Sequence, residues 1–142
     1  MSGFLHGVAS GDPLADRLML WTRVTTESET ASVTVAWAVY EDAALTRPVT
    51  GGDVVTDGER DFTVKVDVDG LQPGQAYWYQ FAVDDALSPV GRGKTLPAGS
   101  PERVRLGVAT CGDYSRGLWN AYARLAERDD IDLFLHLGDY IY

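Results

Sequence analysis

The sequence is short of thiols, of positive charge and of long apolar stretches. One cysteine, Cys111, stands among 142 residues, which excludes an intramolecular disulfide. Lys and Arg number 12 against 21 Asp and Glu, a formal charge of −9. That balance argues against non-specific binding to nucleic acid or to an anionic membrane, since both need a positive surface. No apolar run approaches the roughly 18 residues of a membrane span. The start, Met1-Ser2-Gly3-Phe4-Leu5-His6-Gly7, has no basic stretch followed by an apolar one, so no signal peptide is expected as written. There is no internal repeat and no low-complexity tract. What remains is ordinary globular composition, 45% hydrophobic and 23% charged, in a chain long enough for one domain and a fraction.

Two segments follow different patterns. Residues 1–96 read as about seven short strands between turns, the pattern of an all-β sandwich of the immunoglobulin or fibronectin III kind. Val33, Val35, Trp37 and Val39 share one face of a strand over Ala31–Tyr40. Phe62, Val64, Val66 and Val68 do the same over Asp61–Asp69, and Tyr77, Tyr79, Phe81 and Val83 over Ala76–Asp84. A period of two marks a half-buried antiparallel strand. Another run covers Arg17–Val24, and weaker ones cover Phe4–Ala9, Val49–Thr56 and Val90–Leu96. Trp21 and Trp37 are expected in the core. Leu71-Gln72-Pro73-Gly74-Gln75-Ala76-Tyr77 is a turn opening a strand with tyrosine, which predicts a tyrosine corner whose hydroxyl returns to upstream backbone.

Residues 97–102, with two prolines, a glycine and a serine across Pro97–Pro101, read as a linker. Beyond it, residues 103–142 read as strand, helix, strand. The strands are expected at Arg103–Thr110 and Asp132–Leu137, the helix at Gly117–Arg128 with Ser115 or Asp113 as cap. A parallel βαβ unit brings the C-terminal ends of its strands together. Cys111 and Asp139 then meet at one sheet edge, where open α/β sheets bind ligands. A thiol and a carboxylate there form a candidate metal pair. Tyr142 follows three residues after Asp139, and a phenolate suits a hard Lewis-acidic cation such as ferric iron.

Here the residues resemble a family. Val108-Ala109-Thr110-Cys111 and Leu135-His136-Leu137-Gly138-Asp139-Tyr140-Ile141-Tyr142 are similar to PhoD-type alkaline phosphatases of the calcineurin-like metallophosphatase superfamily. So are His6-Gly7-Val8-Ala9-Ser10-Gly11-Asp12-Pro13 and Leu20-Trp21-Thr22-Arg23. The resemblance implies a fibronectin-like front domain over 1–96 and the first βαβ unit of a truncated four-layer α/β metallophosphatase domain over 103–142. It implies ferric iron and calcium, with Cys111 and Tyr142 on the iron and Asp139 bridging the two metals. It implies hydrolysis of phosphate monoesters or diesters and an extracytoplasmic location. Purple acid phosphatases share Gly-Asp-x-x-Tyr but open their ligand set with aspartate, where this chain has Cys111.

Three candidate ligands do not complete a binuclear site, so the chain is expected to be the N-terminal portion of a longer hydrolase and inactive alone. The competing readings are a stand-alone fibronectin-like binding or interaction module and a purple-acid-phosphatase-like enzyme; a third has the front domain only shaping the active site of the full enzyme. His136, inside an apolar strand, is expected as a core histidine, and His6 as a structural one. Asp129-Asp130 is expected as a solvated turn, and Asp113 is assigned no role. Ser10-Gly11-Asp12 and Gly91-Arg92-Gly93-Lys94 are expected as loops that do not cradle phosphate, because neither leads into a helix.

Overall fold

A computed structural model describes all residues except 1, 2, 28, 29, 31, 114, 140 and 141. β-Structure dominates, with a single α-helix among the described residues. Two compact units follow one another along the chain, Met1–Ala98 and Gly99–Tyr142.

In the first unit, β1 (Val8–Gly11), β2 (Leu18–Arg23) and β5 (Thr63–Val68) form one antiparallel sheet in the order β1-β2-β5. The second sheet runs β4 (Pro48–Thr56), β3 (Val33–Tyr40), β6 (Ala76–Val83), with β7 (Ala86–Leu87) and β8 (Gly91–Lys94) both on the far side of β6. The strands alternate as their sequences predict. β5 turns Val64, Val66 and Val68 inward, with Phe62 buried just before them, and β6 turns Tyr77, Tyr79, Phe81 and Val83 inward. With Leu18, Leu20, Val24, Val35 and Val39 they form one hydrophobic core shared by both sheets. Burying each such side chain contributes about 1.5–3 kcal/mol. Side chains stitch the sheet edges: the Ser10 hydroxyl donates to the Arg92 carbonyl at 3.2 Å, and the Thr56 hydroxyl to the Thr63 carbonyl at 2.8 Å.

The Leu71–Tyr77 corner closes as predicted. The Gln72 N–H donates to the Tyr77 hydroxyl oxygen at 2.8 Å, and Tyr77 is only 1% exposed. Thr95, also buried, donates its hydroxyl to the Gln72 carbonyl and accepts from the Gln75 N–H.

Several expectations for this unit are corrected. Trp21 lies on the outer face of β2, because Leu18, Leu20, Thr22 and Val24 take the inward positions; Trp37 packs on the core only partly buried. The weak run at Phe4–Ala9 forms its strand later, at Val8–Gly11, after left-handed Gly7. Gly91–Lys94 is strand β8, inside the weak run read over Val90–Leu96, and Ser10 and Gly11 belong to β1, so the loop readings of these two segments give way to ladder residues. Strand β7, two residues long, gives no alternation to read. Ala31, the expected start of β3, lies outside the described residues.

The second unit contains β9 (Leu106–Ala109), α1 (Asn120–Ala126) and β10 (Leu133–His136). β9 and β10 pair in parallel, with Leu133 opposite Leu106 and His136 opposite Ala109. Both strands are shorter than predicted. The helix is shorter too, because Trp119 adopts a left-handed conformation (φ +53°) at its N-cap and makes no side-chain cap bond. Asp113 caps nothing helical: its carboxylate accepts from the Ser115 N–H and hydroxyl. Leu118 is left outside the helix, 89% exposed.

Candidate metal centre

Parallel register aligns the ends of β9 and β10, so the chain leaves both strands at one place. The Leu137 N–H still donates to the Ala109 carbonyl at 2.9 Å. Beyond it two further bonds lace the loops: Cys111 N–H to Gly138 carbonyl at 3.1 Å, and Gly112 N–H to Asp139 carbonyl at 2.8 Å. This lacing needs unusual backbone. Cys111 has φ +58°, Gly138 +112° and Asp139 +52°. Glycine tolerates this; Cys and Asp hold it at a cost of about 1–3 kcal/mol each. Non-glycine residues held in this region cluster at functional sites.

The three residues singled out from the sequence come together. The Cys111 Sγ lies 3.8 Å from the Asp139 Oδ2. The Tyr142 hydroxyl lies near enough to the Cys111 and Asp139 side chains for both to act on its ionisation. The neighbouring Cys111 thiol first, then desolvation and the Asp139 carboxylate, hold the Tyr142 phenol well above the usual tyrosine range. Cys111 is exposed, and so is Tyr142 at 71%. A thiol, a carboxylate and a phenol thus converge at one open edge. Tyr140 and Ile141, which complete the Gly-Asp-x-x-Tyr string, lie outside the described residues. Among the described residues no group of three or more His, Cys, Asp or Glu side chains gathers to hold a metal; the third donor here is a phenol.

Sequence reasoning missed two features beside this edge. The Thr110 hydroxyl sits 3.4 Å from the Cys111 Sγ and 3.3 Å from the Gly138 carbonyl, so it bonds the thiol or the opposite loop. Thr110 stood in the string that drew attention to Cys111, yet its neighbours only became visible with the loops laced. The second feature is a bond between Tyr122 of α1 and His136 of β10, 2.7 Å from hydroxyl to Nε2. No spacing rule joins a helix residue to a strand residue 14 positions away.

The other residues behave as follows. His136 is half-buried and stacks on Tyr122 with ring centroids 6.0 Å apart. His6 Nε2 lies 2.7 Å from the Arg23 guanidinium. Arg23 also grips Asp61 through two hydrogen bonds of 3.1 and 2.7 Å, which hold the Asp61 carboxyl below the usual range. Asp130 pairs with Arg128, also through two bonds.

Comparison with known proteins follows this division of the chain. The family profile described as "PhoD-like phosphatase, N-terminal domain" matches residues 1–97, and that described as "PhoD-like phosphatase" matches residues 106–142. Alkaline phosphatase D of Bacillus subtilis (strain 168) is 38% identical over 147 residues, covering 98% of this chain and 25% of that protein. A solved structure of PhoD superposes with a TM-score of 0.87 at 38% identity, over 96% of this chain and 27% of that one. The sensor domain of an anti-sigma factor from Pseudobacteroides cellulosolvens shares the fold alone, with a TM-score of 0.52 at 14% identity over 72% of this chain and 79% of its own. The chain spans about a quarter of the length of its phosphatase relatives.

Proposed function

The chain belongs to the PhoD-like phosphatase family, and from that premise we propose that it is the N-terminal portion of a metal-dependent hydrolase of phosphate monoesters or diesters. The observation that carries this reading is the convergence of Cys111, Asp139 and Tyr142 at the laced ends of β9 and β10. The donor set fits ferric iron with calcium. A thiol and a phenol are protonated at neutral pH in the free state, and a trivalent ion would hold both as anions. The Asp139 carboxylate would suit either metal. When bound, such a cluster polarises phosphoryl oxygens and supplies a nucleophile from water. The chain's own contribution is to fix the donors: two backbone bonds hold the Cys111 and Asp139 loops against each other.

Residues 1–96 serve in this reading as a fibronectin III-like front domain. Strand order β1-β2-β5 against β4-β3-β6-β8 and the Gln72–Tyr77 corner support that subtype. Residues 97–102 are the linker, and 103–142 open the metallophosphatase domain with its first βαβ unit. Cys111, in place of an aspartate, separates the reading from purple acid phosphatases. An extracytoplasmic site of action is part of the proposal and rests on the family. The alternative of a stand-alone binding module draws on the self-contained core of the first unit.

The test is hydrolysis of p-nitrophenyl phosphate and its bis-ester by the longer protein that carries this segment. Cys111→Ala and Asp139→Asn are each expected to lower turnover more than about a hundredfold, beyond what outer partners of a metal ligand cost. Unchanged turnover in both variants contradicts the ligand assignment.

A further inference from the structure

Left-handed Cys111 and Asp139 are held where their backbone does not prefer to be, so something around them must over-determine the turn. Two bonds from the β9 side do part of this, since the Gly138 and Asp139 carbonyls accept from Cys111 and Gly112. A third holds the turn from beneath. The Gly138 N–H donates to the Nδ1 of His136, two residues earlier, at 3.3 Å. The other ring nitrogen is held in turn by the Tyr122 hydroxyl at 2.7 Å. Because Nδ1 accepts, a neutral His136 ring carries its proton on Nε2 and donates it to the Tyr122 oxygen. Ring contacts fix the pair in place: Tyr122 stacks on His136, meets Phe134 edge-on at 6.4 Å and lies 5.0 Å from Trp119.

We propose that His136, oriented by Tyr122, is a positioning residue: its Nδ1 holds the Gly138 amide and so sets the turn that presents Asp139 and receives Cys111. The helix thereby reaches the candidate metal edge through one imidazole. That Asp139 is presented to a metal rests on the reading above; the chain Tyr122–His136–Gly138 does not.

The test uses the metal-free 142-residue chain, so its outcome is independent of whether iron binds. Amide hydrogen exchange is followed at Cys111, Gly112 and Gly138 by NMR in the wild type, His136→Asn and His136→Gln. An Asn side-chain oxygen reaches about where Nδ1 sits; a Gln amide reaches toward Nε2 and leaves Gly138 unserved. His136→Gln is expected to speed exchange at the three amides about tenfold over wild type, while His136→Asn stays within about threefold. Equal exchange in both variants, or acceleration spread evenly over β9 and β10, overturns the positioning role. If His136→Gln does not fold, the imidazole nitrogen shifts of the wild type decide alone: Nδ1 unprotonated and Nε2 protonated support the chain, and a proton on Nδ1 of the neutral ring overturns it.

Discussion

Tyr77 and Gly91 show how single residues hold the first unit together. Tyr77 is buried and its hydroxyl satisfies the Gln72 N–H at the corner before β6. Tyr77→Phe keeps the ring and orphans that amide, so it is expected to cost about 1–3 kcal/mol in urea unfolding. Gly91 is glycine for space: a Cβ there would overlap the Tyr79 ring. The Tyr79 ring lies inside the core, 2% exposed, and that burial pushes its phenol up to about 12. Gly91→Ala is therefore expected to destabilise by about 1–3 kcal/mol, through overpacking rather than a lost contact. Calorimetry separates these two from a neutral outer-face change such as Lys65→Gln, expected within about 0.5 kcal/mol.

Among elements, β5 and β6 were the most legible, because strict alternation over Phe62–Val68 and Tyr77–Val83 leaves one possible inward face. Phe81→Ala is expected to cost about 3–5 kcal/mol, since Phe81 is fully buried and touches rings on both sides. Legibility failed where local signals compete. In β2, apolar residues occupy both faces, so Trp21 gave no direction; register against β5, which seats Leu20 opposite Val66, decides it. In α1, the apolar stripe of Leu118, Tyr122 and Leu125 starts before the helix does, because left-handed Trp119 delays its first residue to Asn120. The candidate site was legible at the level of which residues meet, because a parallel pair fixes that from topology. The lacing of the loops was not, since backbone bonds such as Gly112 to Asp139 leave no mark on residue identity.

For the molecule as a whole, pH and metal are the informative variables. Arg23 depresses the Asp61 carboxyl mainly through their hydrogen bonds. A depressed carboxyl adds stability that is full above its unfolded value, about 4, and is lost as pH falls toward its lower folded value. Thermal unfolding of the first unit is thus expected to drop below about pH 4, and Asp61→Asn to flatten that drop. Because the pair is exposed, added salt weakens the effect. On the proposed reading the isolated 142-residue chain is expected to show no phosphatase turnover, since Cys111, Asp139 and Tyr142 are fewer donors than a binuclear centre uses. Metal content tests the site most directly. Elemental analysis of the longer protein, beside its Cys111→Ser and Tyr142→Phe variants, is expected to find iron with calcium in the wild type and iron reduced in both variants. Zinc alone in the wild type, or iron undiminished in both variants, would contradict the assignment of Cys111, Asp139 and Tyr142 to a ferric site.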